Sequence, residues 1–130
     1  MKLLLLIAIG VTIVTSAEVP IEAVQDWERN ISGFKEKCIE ETKVDPDLIY
    51  NMEKKLDFSK NEALKCYYYC IYKNAKICDD NGQFTGERYT NKISTVPLSL
   101  TTRCTSETVH LEGCEKAYQL AICIIKGLVV

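Results

Sequence analysis

Apolar residues recur at helical intervals along almost the whole chain. In the first polar-apolar segment they fall at Val24, Trp27, Ile31, Phe34 and Cys38, steps of three and four that make one helix stripe. Pro20 near its start suits a helix N-terminus. Asp45-Pro46-Asp47 breaks the chain, and Asp45 can cap a short helix through Met52 to Lys55. Ser59 or Asn61 can start a third helix, running from Glu62 to about Ile77. Asp79-Asp80-Asn81-Gly82 is turn chemistry, since Asn and Gly tolerate positive φ. A fourth helix is predicted from Gly86 to Ile93 and ended by Pro97, with the weakly alternating 94–100 read as an extended linker. Thr101 or Thr102 could cap a fifth helix around Cys104. A last helix is predicted from Leu111 to Lys126, with Gly127 as its stop. No stretch alternates strongly at period two, so the expected domain is all-α with about six helices.

The apolar run Leu3 to Val14 has a different character. It follows Met1-Lys2 and precedes the small residues Thr15-Ser16-Ala17, which is signal-peptide order. It is too short for a comfortable membrane span. The expectation is therefore a signal peptide over 1–17, a single domain over 18–130, secretion and no stable membrane insertion. A buried N-terminal helix is the competing reading. The formal charge of −2 becomes −3 once Lys2 is lost. Such mild acidity argues against nucleic acid, which needs a concentrated basic face.

Seven cysteines sharpen the picture. Without Cys78 the others read C-x27-C-x3-C-x33-C-x9-C-x8-C: Cys38, Cys66, Cys70, Cys104, Cys114 and Cys123. Six thiols at such spacings in a short exported chain imply three disulfides. Cys66 and Cys70 are four apart and share one helix face, so that face can serve two partners. Cys114 and Cys123 are nine apart, which at about 100° per residue sets them on opposite sides of the last helix. The intervening Ala117 to Ile125 is apolar almost all round, the mark of a central helix.

The C-x3-C on one helix, the C-x8-C on a later one and the isolated cysteine upstream resemble the insect odorant-binding protein family, the pheromone- and general-odorant-binding proteins of six-cysteine type. Lys65-Cys66-Tyr67-Tyr68-Tyr69-Cys70, the turn Asp80-Asn81-Gly82-Gln83-Phe84 and Cys114-Glu115-Lys116-Ala117-Tyr118 support it, and the match covers the whole of 18–130. The gap between the third and fourth cysteines is slightly short for the pattern. Six cysteines allow fifteen pairings; the resemblance implies the interlocked set Cys38–Cys70, Cys66–Cys114 and Cys104–Cys123. It also implies a central C-terminal helix and an apolar cavity. The family's pocket positions fall on Trp27, Ile31, Phe34, Tyr68, Tyr72, Ile77, Phe84, Ala117, Leu120, Ala121 and Ile124. The partner implied is a small hydrophobic ligand (odorant, pheromone or fatty-acid-like) and, beyond it, a chemoreceptor, with the protein a monomer or weak homodimer.

Several points stay open at this level. Ala117 and Ala121, one turn apart, suit either a cavity wall or close helix contact. Tyr68 and Tyr72 share a helix face and read either as ligand contacts with a hydrogen-bonding hydroxyl or as surface aromatics. Cys78 reads as a buried spare thiol or as the link of a disulfide-bonded dimer. The single histidine, His110, reads as a surface residue or as a pH sensor. The short tail could lay Val129 and Val130 over a pocket mouth. Asn30-Ile31-Ser32 is a glycosylation sequon placed mid-helix.

Enzyme chemistry fails on inventory. One histidine cannot make a multi-histidine metal site, and no serine lies in G-x-S-x-G. A secreted phospholipase A2 needs a histidine–aspartate pair beside a helical cysteine, but Leu111 follows His110. With Gly82 at position six of a calcium loop, positions one and twelve would be Ile77 and Arg88, neither a ligand. No cofactor or metal is expected. The alternative function is a secreted helical signalling or host-interaction protein of saliva or venom that acts by surface contacts.

Overall fold

The structure, a computed structural model, describes residues 17–130. The predicted signal peptide lies outside these residues except for Ala17. Seven α-helices follow in order: α1 Ile21–Ile31, α2 Lys35–Thr42, α3 Pro46–Lys55, α4 Glu62–Asn74, α5 Gly86–Lys92, α6 Leu98–Glu107 and α7 Gly113–Leu128. Among the described residues the only β-type pairing is one antiparallel bridge between Cys78 and Phe84.

The extra helix arises where the first stripe divides. Ser32 and Gly33, weak helix formers, sit in a turn that separates α1 from α2. Ile31 and Cys38 are both fully buried, so the stripe keeps its inward face although the helix does not continue. Caps follow local chemistry. The Asp45 side chain accepts from the Asp47 N–H at the start of α3, and Asn61 rather than Ser59 accepts from the Leu64 N–H at the start of α4.

The helix predicted to run to about Ile77 is shorter at its C-terminus. α4 ends at Asn74, whose side-chain amide donates to the Cys70 carbonyl at 2.8 Å, and Lys76 then turns left-handed at φ 57°. Beyond it the Asp79 carboxylate accepts from the Asn81 and Gln83 N–H groups and closes the predicted turn, with Gly82 at φ 76°.

Three other expectations are corrected. Residues 98–100 are not linker: Pro97, which needs no N–H partner, begins α6 and its carbonyl accepts from Leu100 and Thr101. Thr101 is then no cap but a fully buried residue, its hydroxyl donating to the Gly86 carbonyl at 2.8 Å. Gly127 is not a stop either. It lies within α7 against Leu100, where a Cβ would come within 2.3 Å of the leucine side chain, so its bareness lets α6 approach.

α7 is the central element, packing most heavily on α4 and also on α6. It buries Ala117, Tyr118, Leu120, Ala121 and Ile124. Cys66–Cys114 joins it to α4 and Cys104–Cys123 joins it to α6, from opposite flanks. Cys38–Cys70 ties α2 to the other end of the α4 cysteine face. These are the pairs the resemblance implies. Lys65 reinforces the first joint by bonding Glu115 at 2.7 Å, and the Tyr118 hydroxyl donates to the Ser59 carbonyl.

Disulfide strength should follow loop length. The chain separations are 48 residues for Cys66–Cys114 and 19 for Cys104–Cys123. In chain-entropy terms these correspond to about 4 and about 3 kcal/mol. Denaturant melts of the paired Cys→Ala variants should show the larger loss for Cys66→Ala/Cys114→Ala; equal losses would contradict the entropic account.

Candidate functional site

A cleft of about 60 Å³ opens between α1, α3, α4, α5 and α7. Its floor is built from Ala23, Tyr68, Tyr72, Tyr89, Ile93, Val96, Ala121 and Ile124, all buried. Val19, Val24, Trp27, Ile125 and Leu128 are partly exposed and form the rim, and Glu53 supplies the one charged group of the lining.

Each wall has a local cause. On α4, Tyr68 and Tyr72 are four apart and project from one face. On α5, Tyr89 leads into Ile93 by the same spacing. On α7, Ala121 and Ile124 are the small and medium residues of the buried face. Val96 is held by a distant bond: the buried Asp26 carboxylate on α1 accepts from the Thr95 N–H at 3.1 Å and the Thr95 hydroxyl at 2.9 Å. Burial works to raise the Asp26 carboxyl. The Thr95 bonds and the Arg29 charge outweigh it and hold the group below its ordinary value.

Aromatic rings and hydroxyls give the cleft its polarity. Tyr72 meets Trp27, Phe84 and Tyr89 edge-on, with centroids 5.9, 5.2 and 5.6 Å away. The Tyr72 and Tyr89 hydroxyls lie 3.0 Å apart and share one hydrogen bond. Two hydroxyls carry two protons, so this pair keeps one O–H to offer elsewhere. The Tyr68 hydroxyl donates to Glu53 Oε2 at 2.6 Å. Burial pushes the Tyr68 and Tyr72 phenols well above their ordinary range, so both remain neutral donors. The same desolvation raises the Glu53 carboxyl, against the lowering effect of the Tyr68 bond. Among the described residues no Lys, Arg or His lines the cleft.

Of the positions named from sequence, Trp27, Tyr68, Tyr72, Ala121 and Ile124 meet in this cleft. Ile31, Ile77, Ala117 and Leu120 are buried in the core outside its lining, and Phe34 and Phe84 are partly buried against that core. The two alanines thus divide: Ala121 lines the cleft, while Ala117 is fully buried outside its lining. Cys78 is buried, 3% exposed, and unpaired. His110 is exposed and lines no part of the cleft. In the tail, Leu128 enters the rim; Val129 and Val130 do not, although the Val130 N–H donates to the Glu18 carbonyl beside Val19. The Asn30 amide donates to the Asp26 carbonyl at 2.7 Å, a bond that a glycan on that nitrogen would disturb.

Glu53, Tyr89 and Ile93 were absent from the sequence-based set, yet a signal existed. Glu53 is four residues after the buried Ile49 and so flanks the apolar face of α3. Tyr89 and Ile93 are likewise one turn apart. Val19 and Val96 lie outside helices, where periodicity says nothing.

Residues 22–127 match the PBP/GOBP family. The chain belongs to that family. The three disulfides and the all-α bundle are those of the six-cysteine insect odorant-binding type. Proteins of the PBP/GOBP family are binding proteins rather than enzymes. No solved structure matches the chain. Among the described residues no helix is long and apolar enough to cross a membrane.

Two substitutions test the electrostatics in and beside this cleft of the PBP/GOBP chain. The ordinary value for Glu53 is 4.5, and the folded value lies above it. The folded chain therefore holds this proton more tightly than the unfolded one. That stabilisation is complete below the ordinary value and is lost as pH rises through the folded one. Glu53→Gln should accordingly melt above wild type at about pH 7, with the advantage shrinking towards about pH 4 in a calorimetric pH series. Tyr67, fully buried next to Tyr68, has a hydroxyl with no hydrogen-bond partner among the described residues. Tyr67→Phe should stabilise by about 1 kcal/mol in denaturant melts; a loss of that size would mean the hydroxyl is satisfied.

Proposed function

We propose that the protein is a secreted carrier that holds a small hydrophobic ligand, of odorant, pheromone or similar type, in the cleft against α7. The supporting observation is the lining itself: buried aliphatic and aromatic carbon with a few convergent polar groups, in a chain of the PBP/GOBP family. Burial of methylenes is worth about 0.8 kcal/mol each, so an eight-carbon tail supplies about 6 kcal/mol, which corresponds to a dissociation constant of tens of micromolar. The paired hydroxyls of Tyr72 and Tyr89 would offer their spare proton to a carbonyl or alcohol on the guest.

The volume of about 60 Å³ is smaller than the few hundred Å³ of typical small-molecule sites. The partly exposed rim side chains of Trp27 and Leu128 are the ones whose rotation would admit a longer guest. Delivery to a chemoreceptor belongs to the same proposal. Three disulfides suit an oxidising, extracellular setting.

Displacement of a fluorescent apolar probe tests the reading. Wild type should release the probe to medium-chain alcohols and esters. Ala121→Phe, which fills the floor, should weaken them at least about tenfold while the circular dichroism stays helical. No displacement by any apolar compound from the disulfide-intact protein would favour action by surface contact instead.

A further inference from the structure

The one charged side chain of the cleft has no counter-charge there. Glu53 reaches the lining from α3, and its Oε2 accepts from the neutral Tyr68 hydroxyl. No ion pair to Glu53 occurs among the described residues. Lys35, which pairs with Glu28 at 3.8 Å, and the exposed Lys54 act on Glu53 only through their distant charges, and desolvation outweighs both. A carboxyl in such a place is costly to ionise, and the cost is met on folding whether or not a ligand binds.

From this geometry we infer that the cleft prefers apolar amines, with an alkyl- or arylammonium head on Glu53 and its hydrocarbon tail on Ile93, Val96 and Ile124. The proposal rests on the reading of the cleft as a ligand site and adds the chemistry of the head group. An ammonium brings three donors and a full charge to a half-buried acceptor that has no ion-pair partner among the described residues. Trp27, Tyr68 and Tyr72 present aromatic rings around the same space, and ring faces attract cations. A neutral alcohol makes only an ordinary hydrogen bond there. A carboxylate guest meets a like charge and no basic residue, so fatty acids come last.

The purified, disulfide-bonded protein would be titrated calorimetrically at about pH 7 with octylamine, octanol and octanoic acid. These share one tail length and differ in head. The expected order is amine, alcohol, acid, with the amine about tenfold tighter than the alcohol. In Glu53→Gln the amine-to-alcohol ratio should collapse towards one. If that variant fails to fold, the wild-type ranking still decides. An alcohol or acid that binds as tightly as the amine, or a ratio that survives in a folded Glu53→Gln, overturns the head-group inference and leaves the hydrophobic carrier standing. Failure of all three compounds to bind overturns both.

Discussion

The clamping of α7 from two sides is the constraint on which the rest of the structure depends. Cys114 and Cys123 lie on opposite flanks of one helix, and their partners sit on α4 and α6. A helix bonded on both flanks is held between its two partners, α4 and α6. Its apolar residues therefore become the middle of the core, and Ala121 and Ile124 become the floor of a cleft. In a chain of this size the hydrophobic core alone gives a thin margin of stability, and the staples act chiefly on the unfolded ensemble. That leaves the packing around the cleft freer to be imperfect.

The imperfections gather around the tyrosines of α4. Tyr67 buries a hydroxyl without a partner, Tyr68 leans on a carboxyl, and Tyr72 shares one proton too many with Tyr89. A core built only for stability would place phenylalanine at position 67, because a buried hydroxyl with no partner costs free energy. Under the proposed reading, the polar groups around this apolar cleft would distinguish ligand heads, and Glu53 would give the site its sign of charge.

Much of this was legible in the residues. Spacing alone put Cys66 and Cys70 on one face and Cys114 and Cys123 on two, and the apolar run Ala117 to Ile125 marked α7 as central. Asp45 and the Asp79–Gly82 turn announced themselves by chemistry that acts within a few residues. Errors came where local signals conflicted with packing. Ser32–Gly33 divided a continuous apolar stripe, Pro97 opened a helix instead of closing one, and Gly127 stayed helical because Leu100 needed its space. The pocket positions divided for a similar reason. Ile31 and Ile124 are equally apolar and equally inward in pattern, yet only Ile124 meets the cleft.

By itself, then, the sequence determined the class of fold, the disulfide count and the helix that had to be central, because periodicity and cysteine spacing are properties of one element at a time. The tertiary structure decided which buried residues face a space and which face each other. It brought Glu53 of α3 to Tyr68 of α4, and Asp26 of α1 to Thr95 before α6, across separations of 15 and 69 residues. Such meetings depend on how helices are set against one another, and no repeat along the chain encodes that.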